Sequence, residues 1–203
     1  YVLPASQAAI DPRTWVANFT SQISRTGPAG TRVWRACILG PWEPVPPGVA
    51  RMGAPPPHLA RPMRVNAVGI PVFYCADDEY TAIAEVRPWR GADVWIAEWQ
   101  FAHNLSVADL TAHVGQTTSA WAQYFARVAQ SMALPVHPDG SDVDYVATQY
   151  VADVLREAGF QAVYFHSCQS ASGRNIAVFD PAQLQICGQP YVRTVQDVGY
   201  QAQ

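Results

Sequence analysis

Residues 64–86 read RVNAVGIPVFYCADDEYTAIAEV, a mostly apolar segment with Arg64 at its head, Tyr74 in its middle and Glu85 near its end. The run from 70 to 76 is predicted to be a strand, because it is short, apolar and rich in β-branched and aromatic residues. A helix is expected from about Asp77 to Val86, with Asp77 or Asp78 as its cap and Thr81 to Glu85 carrying the chain back towards the core. A strand running into a short helix is the unit around which the rest of the chain is placed.

Upstream, a helix is expected over 11–25, with Asp11 as cap, Pro12 in the first turn and Trp15, Val16, Phe19 and Ile23 at helical spacing. TRVWRACIL at 31–39 alternates as a half-buried strand does and places Arg35 inside it. Between 41 and 62 lie eight prolines, with PP at 46–47 and PPP at 55–57, so helix and central strand are both excluded there and a long functional loop is expected.

Downstream, strands are expected at 93–101 and 104–110, helices at 117–132 and 143–158 with Gly159 as the stop, and three closing strands in QAVYFHS, NIAVFD and LQICGQPYVR. This order is α+β rather than a regular βαβ alternation. One domain over 1–203 is expected, with residues 1–30 as an N-terminal helical segment and the proline-rich loop inside it.

The chain is 49% hydrophobic and 14% charged with a net charge of -3, enough apolar content for a sizeable core and too little basic charge for a nucleic-acid partner. No window is long and apolar enough for a membrane span, and YVLPASQAAIDPR lacks the pattern of a signal peptide. A start at Tyr1 rather than Met suits an excised domain of something longer. Cys37, Cys75, Cys168 and Cys187 show no CxxC pair, so no metal site is implied. Three of them, in RACIL, VFYCA and LQICG, are expected to be buried thiols. GxGxxG after a strand, GxxxxGK and GxSxG are all absent.

The pattern of Arg64, Asn66, Gly69, Pro71 and Tyr74, followed by AIAEV around Glu85, resembles the signature segment of the RES domain family, named for an arginine, a glutamate and a serine. VWRAC at 33–37 is similar to the family's early arginine-bearing strand, and Ser167 of VYFHS fits the place of the serine, with Ser170 and Ser172 as rivals. The resemblance spans roughly residues 31–180 and implies an ADP-ribosyltransferase-like fold, a mixed β-sheet core with flanking helices. It also implies a toxin that consumes NAD+ by hydrolysis or phosphorolysis, or that transfers ADP-ribose to a protein. A non-catalytic nucleotide- or protein-binding module is the reading from a different class.

The residues suit that chemistry. The nicotinamide of NAD+ is a cation, so cleaving its glycosidic bond releases a neutral group and one carboxylate suffices, without the proton donor of ordinary glycoside hydrolysis. Glu85 is the candidate to stabilise charge growing on the ribose. Arg64, with Arg35 as a second contact, offers a fork for the pyrophosphate. Tyr74 can stack on nicotinamide or bond a ribose, and Ser167 suits a hydroxyl contact rather than nucleophilic attack. Asn66, Gln149 and Asn175 complete the expected pocket. NAD+ is then a substrate, and no cofactor or metal is expected. The resemblance further implies an antitoxin or immunity protein that blocks the pocket, and action in the cytoplasm, with delivery there as an effector domain as the second route.

Overall fold

In the computed structural model, residues 13–14, 22–111, 120–134 and 142–199 are described. Nine strands form one mixed sheet: β1 Ser24–Gly27, β2 Arg32–Ile38, β3 Phe73–Ala76, β4 Asp93–Phe101, β5 Leu105–Asp109, β6 Ala162–His166, β7 Arg174–Val178, β8 Leu184–Ile186 and β9 Tyr191–Thr194. The described helices are α1 Val49–Met52, α2 Glu79–Glu85, α3 Ala120–Ala133 and α4 Val146–Glu157. The strand order is β1-β5-β6-β7-β3-β2-β4-β8, with β9 also on β4. Among the described strands only the β5–β6 pair is parallel, and α3 and α4 lie in the crossover between its strands.

Chain connectivity forces this sheet to curl. β4 and β5 stand five places apart in the strand order, about 24 Å across a flat sheet. Yet Phe101 ends β4 and Leu105 begins β5, a link that can stretch about 14 Å at most. β4 and β5, each next to an edge of the sheet, must therefore approach each other. Gly27 of β1 marks the close contact, since a Cβ there would meet Phe101 Cε2 at 2.7 Å. Only glycine fits.

Successive residues of the central strands divide between two cores, as the twofold period of a strand requires. Phe73 and Cys75 of β3, with Ile176 and Val178 of β7, join Val33, Trp99, Phe101 and Met52 inside the curl. Phe73 and Trp99 meet edge-on there, with ring centroids 4.9 Å apart. On the other face Tyr74, Val163, Phe165 and Ala177 pack under Val128 and Met132 of α3 and Val151, Val154 and Leu155 of α4.

The α+β class and the mixed sheet are as expected, with differences at the edges. Most of the helix expected over 11–25 lies outside the described residues, as do 117–119 of the next one. Residues 24–27 are strand rather than helix, paired antiparallel with Leu105–Ala108. LQICGQPYVR forms two strands, because Gly188 turns the chain at φ 79°. Both halves add to the same edge of β4. The proline-rich loop holds α1 and a 3-10 turn at Pro57–Leu59, each short enough to fit between prolines. Cys37 and Cys75 are buried as expected, whereas Cys187 is half-buried because it follows β8 at the start of that turn.

Candidate active site

Glu85 is the last residue of α2, and the position of that helix is fixed at its start. Asp78 caps it by accepting from Thr81 N at 2.8 Å, which contributes about 1 kcal/mol. Asp77, one residue earlier, accepts from Arg174 N at 3.1 Å and Arg174 Nε at 2.6 Å, tying the entry of α2 to β7. Thr81 is fully buried against Gly173, where a Cβ would lie 2.1 Å from Thr81 Oγ1. The helix, β7 and the loop before β7 are thus held as one unit.

That unit presents Glu85 to Ser167 and Asn175. Ser167 Oγ donates to Glu85 Oε1 at 2.6 Å, and Asn175 Nδ2 donates to the same oxygen at 2.8 Å. Ser167 Oγ is itself fixed by the backbone N–H groups of Gln169 and Ser170, each at 3.0 Å. Glu85 Oε2 has no hydrogen bond among the described residues. The carboxylate is oriented through one oxygen and keeps the other available.

Glu85 borders a cleft of about 640 Å³, of a size to hold a dinucleotide-class ligand. The cleft is lined also by Arg35, Arg61, Arg64, Asn66, Tyr74, Arg87 and Asn175, with Trp34, Val72, Tyr145 and Phe165 as its apolar part. Among the described residues that line it, Glu85 is the one acidic residue, against four arginines. Among the described residues none of these arginines pairs with a carboxylate. The cleft therefore carries a net positive field suited to phosphoryl groups.

Each expected site residue has a definite place. Arg35 NH1 donates to Tyr74 O at 2.7 Å and its guanidinium sits 5.2 Å from the centre of the Phe73 ring. Burial, the largest influence on it, lowers the pKa of this guanidinium. Arg64 borders the cleft while its NH1 and NH2 donate to the carbonyls of Ser131 and Leu134, at the C-terminal end of α3 where a cation is favoured. Its fork is thus partly engaged within the fold.

The Tyr74 hydroxyl donates to Asn66 Oδ1 at 2.7 Å and accepts from Val65 N at 3.2 Å. Burial, the largest influence on it, raises the pKa of this phenol. Asn66, buried, gives its amide hydrogens to Arg61 O at 2.9 Å and Ala67 O at 3.0 Å. Gln149 is not a cleft-lining residue; its Nε2 donates to Met63 O at 2.9 Å and Asn66 O at 2.8 Å. Tyr74, Asn66 and Gln149 together set the turn that carries Arg64. Of the three candidate serines, Ser167 is the one whose hydroxyl reaches Glu85.

Arg61, Arg87 and Tyr145 line the cleft without having been singled out in the sequence. For Arg87 a signal exists: it stands two residues beyond Glu85, where a helix of that length ends.

A family model for the RES domain matches residues 32–197, most of the chain and every strand from β2 to β9. The chain belongs to the RES domain family. A chain in the crystal structure of the M. tuberculosis MbcT–MbcA toxin–antitoxin complex is similar to it, with a TM-score of 0.51 and 15% sequence identity over 91% of this chain and 94% of that one. That likeness extends the shared fold to nearly the full length of both chains. No curated protein matches the sequence. In this RES domain Glu85 and Ser167, the candidates for the glutamate and the serine of the family name, are in direct contact.

Proposed function

We propose that this RES domain is a toxin-type enzyme that cleaves the nicotinamide–ribose bond of NAD+, as a glycohydrolase or phosphorylase, and so lowers cellular NAD+. The observation that carries this reading is the Glu85 carboxylate, fixed through Oε1 by Ser167 and Asn175 and, among the described residues, free at Oε2, in a cleft with four arginines that have no carboxylate partner among those residues. Family membership supports it.

In the step proposed, the bond between ribose C1′ and the nicotinamide nitrogen breaks with its electron pair going to nitrogen, so neutral nicotinamide leaves. Positive charge develops on the ribose, and Glu85 Oε2 stabilises it directly or through a ribose hydroxyl. A water or phosphate oxygen then bonds to C1′, and with water as acceptor one proton is released to solvent. The fixed donors on Oε1 keep the carboxylate from reorienting during the step. The arginines bind the pyrophosphate, and Tyr74 and Tyr145 offer aromatic surface to the nicotinamide. No metal or cofactor is invoked.

The toxin–antitoxin setting of the similar structure supports a cognate antitoxin or immunity protein as partner and action in the cytoplasm. The proline-rich loop offers it a surface: Trp42, Val45 and Leu59 are exposed, and Pro55 and Leu59 line the cleft. None of the described helices is long and apolar enough to cross a membrane.

The test is incubation of the purified protein with NAD+ and a chelator, with and without phosphate, followed by chromatography. Release of nicotinamide in the chelator is the expected result. NAD+ that stays intact in both conditions refutes the reading.

A further inference from the structure

Two of the described helices end on a left-handed residue, and they differ in what that residue is. Beyond α4 it is Gly159, with φ 89°; beyond α2 it is Arg87, with φ 47°. Glycine is favoured there because a Cβ crowds the carbonyl oxygen, and another residue costs about 1 kcal/mol. Every other left-handed position among the described residues, namely Gly30, Gly69, Gly91, Gly159 and Gly188, is glycine. The backbone around Arg87 is otherwise an ordinary helix end, with its N–H on Ala84 O at 3.0 Å. Such local cost, next to a candidate catalytic carboxylate, points to a task for the side chain.

The side chain lines the cleft and has no carboxylate partner among the described residues. Its neighbour is neutral: the Gln169 amide lies beside it, and with its oxygen rather than its nitrogen facing Arg87, the orientation that satisfies both groups, it accepts from Nε and NH2 at 3.3 Å each. Gln169 also donates its backbone N–H to Ser167 Oγ at 3.0 Å, so Arg87 is steadied from the loop that holds Glu85 Oε1. A guanidinium held by a neutral amide keeps its full charge for an incoming anion. Arg64, by contrast, already has two of its nitrogens on carbonyls of α3.

We propose that Arg87 is a substrate-binding residue that holds phosphoryl oxygens beside the reacting carbon, those of the dinucleotide's pyrophosphate or those of a free phosphate acceptor. This rests on the reading of the cleft as an NAD+ site. Arg87→Gly is the decisive variant, because it removes the charge while placing at this turn the residue the backbone prefers, so its thermal midpoint is expected to equal or exceed that of the unmodified protein.

ADP and, separately, inorganic phosphate are titrated calorimetrically into both proteins. A dissociation constant for ADP raised about fivefold or more by Arg87→Gly assigns the residue to the pyrophosphate. A similar loss for phosphate with ADP unchanged assigns it to a free anion. Equal affinities of the two proteins for both ligands overturn the inference, as does an unmodified protein that binds neither. An unmodified protein that binds ADP yet releases no nicotinamide from NAD+ refutes the enzymatic reading alone, and the affinity ratio still decides the role of Arg87.

Discussion

The chain has thirteen arginines and no lysine, and the arginines that line the cleft differ from seven of those outside it. Arg13, Arg25, Arg32, Arg51, Arg156, Arg174 and Arg193 each stand beside a carboxylate. Arg35, Arg61, Arg64 and Arg87 line the cleft and have none among the described residues. The outer pairs join elements: Arg174 ties β7 to the entry of α2, and Arg193 ties β9 to its first turn through Glu79. The cleft arginines gather like charge around one carboxylate, an arrangement that lowers the free energy only once an anion enters. Substitutions in the two sets should therefore separate stability from binding.

The largest structural effect is expected at Asp77. Removing it in Asp77→Ala leaves Arg174 N and Nε without their acceptor, and loss of a bond to a charged group contributes about 2 kcal/mol, or a fall of roughly 4–8 °C in thermal midpoint. Asn175 follows Arg174 directly, so nicotinamide release should fall with it. An unchanged midpoint would remove this pair from the framework of the site.

A smaller effect of the opposite kind is expected from Arg61→Gln. Arg61 is exposed at the cleft, so its loss should raise the KM for NAD+ about fivefold, near 1 kcal/mol, while the midpoint stays level. Loss of stability with an unchanged KM would place Arg61 with the outer set.

How much of this was legible in the sequence follows from how local each signal is. β4 matches DVWIAEWQF because an apolar run at 94–97 leads into apolar–polar alternation at 98–101, and Glu85 and Tyr74 were legible because their spacing lies within one segment. Ile23 continues a helical spacing, but the pairing of Ser24–Gly27 with β5 is made by residues some eighty positions away and prevails. The contacts of Arg64 with α3 and of Gln149 with Met63 and Asn66 are likewise tertiary. Arg87 was hidden for another reason. Its left-handed backbone depends on α2 ending at Glu85, and helix ends are the part of a pattern that sequence marks least sharply.

The smallest effect concerns pH. Burial alone would raise the Glu79 carboxyl, but the hydrogen bonds from Tyr191 at 2.7 Å and Arg193 at 2.9 Å outweigh it and the pKa lies below the ordinary value. A depressed carboxyl contributes stability above its unfolded value of about 4.3 and loses it as pH falls through the folded value. Glu79→Gln should therefore lower stability at pH 7 by about 0.5 kcal/mol and leave it nearly unchanged well below pH 4, read from urea unfolding at both. Equal losses at both pH values would show that the pair contributes through shape rather than charge.

The most direct test of Glu85 as the catalytic carboxylate is nicotinamide release by Glu85→Gln, set beside its affinity for ADP. The amide keeps the size of the side chain and an oxygen for Ser167 and Asn175, but removes the negative charge. Turnover is expected to fall by about a hundredfold to a thousandfold, the scale of losing one electrostatic stabiliser, with ADP affinity and thermal midpoint close to those of the unmodified protein. A Glu85→Gln protein that releases nicotinamide within twofold of the unmodified rate would contradict the role given to Glu85.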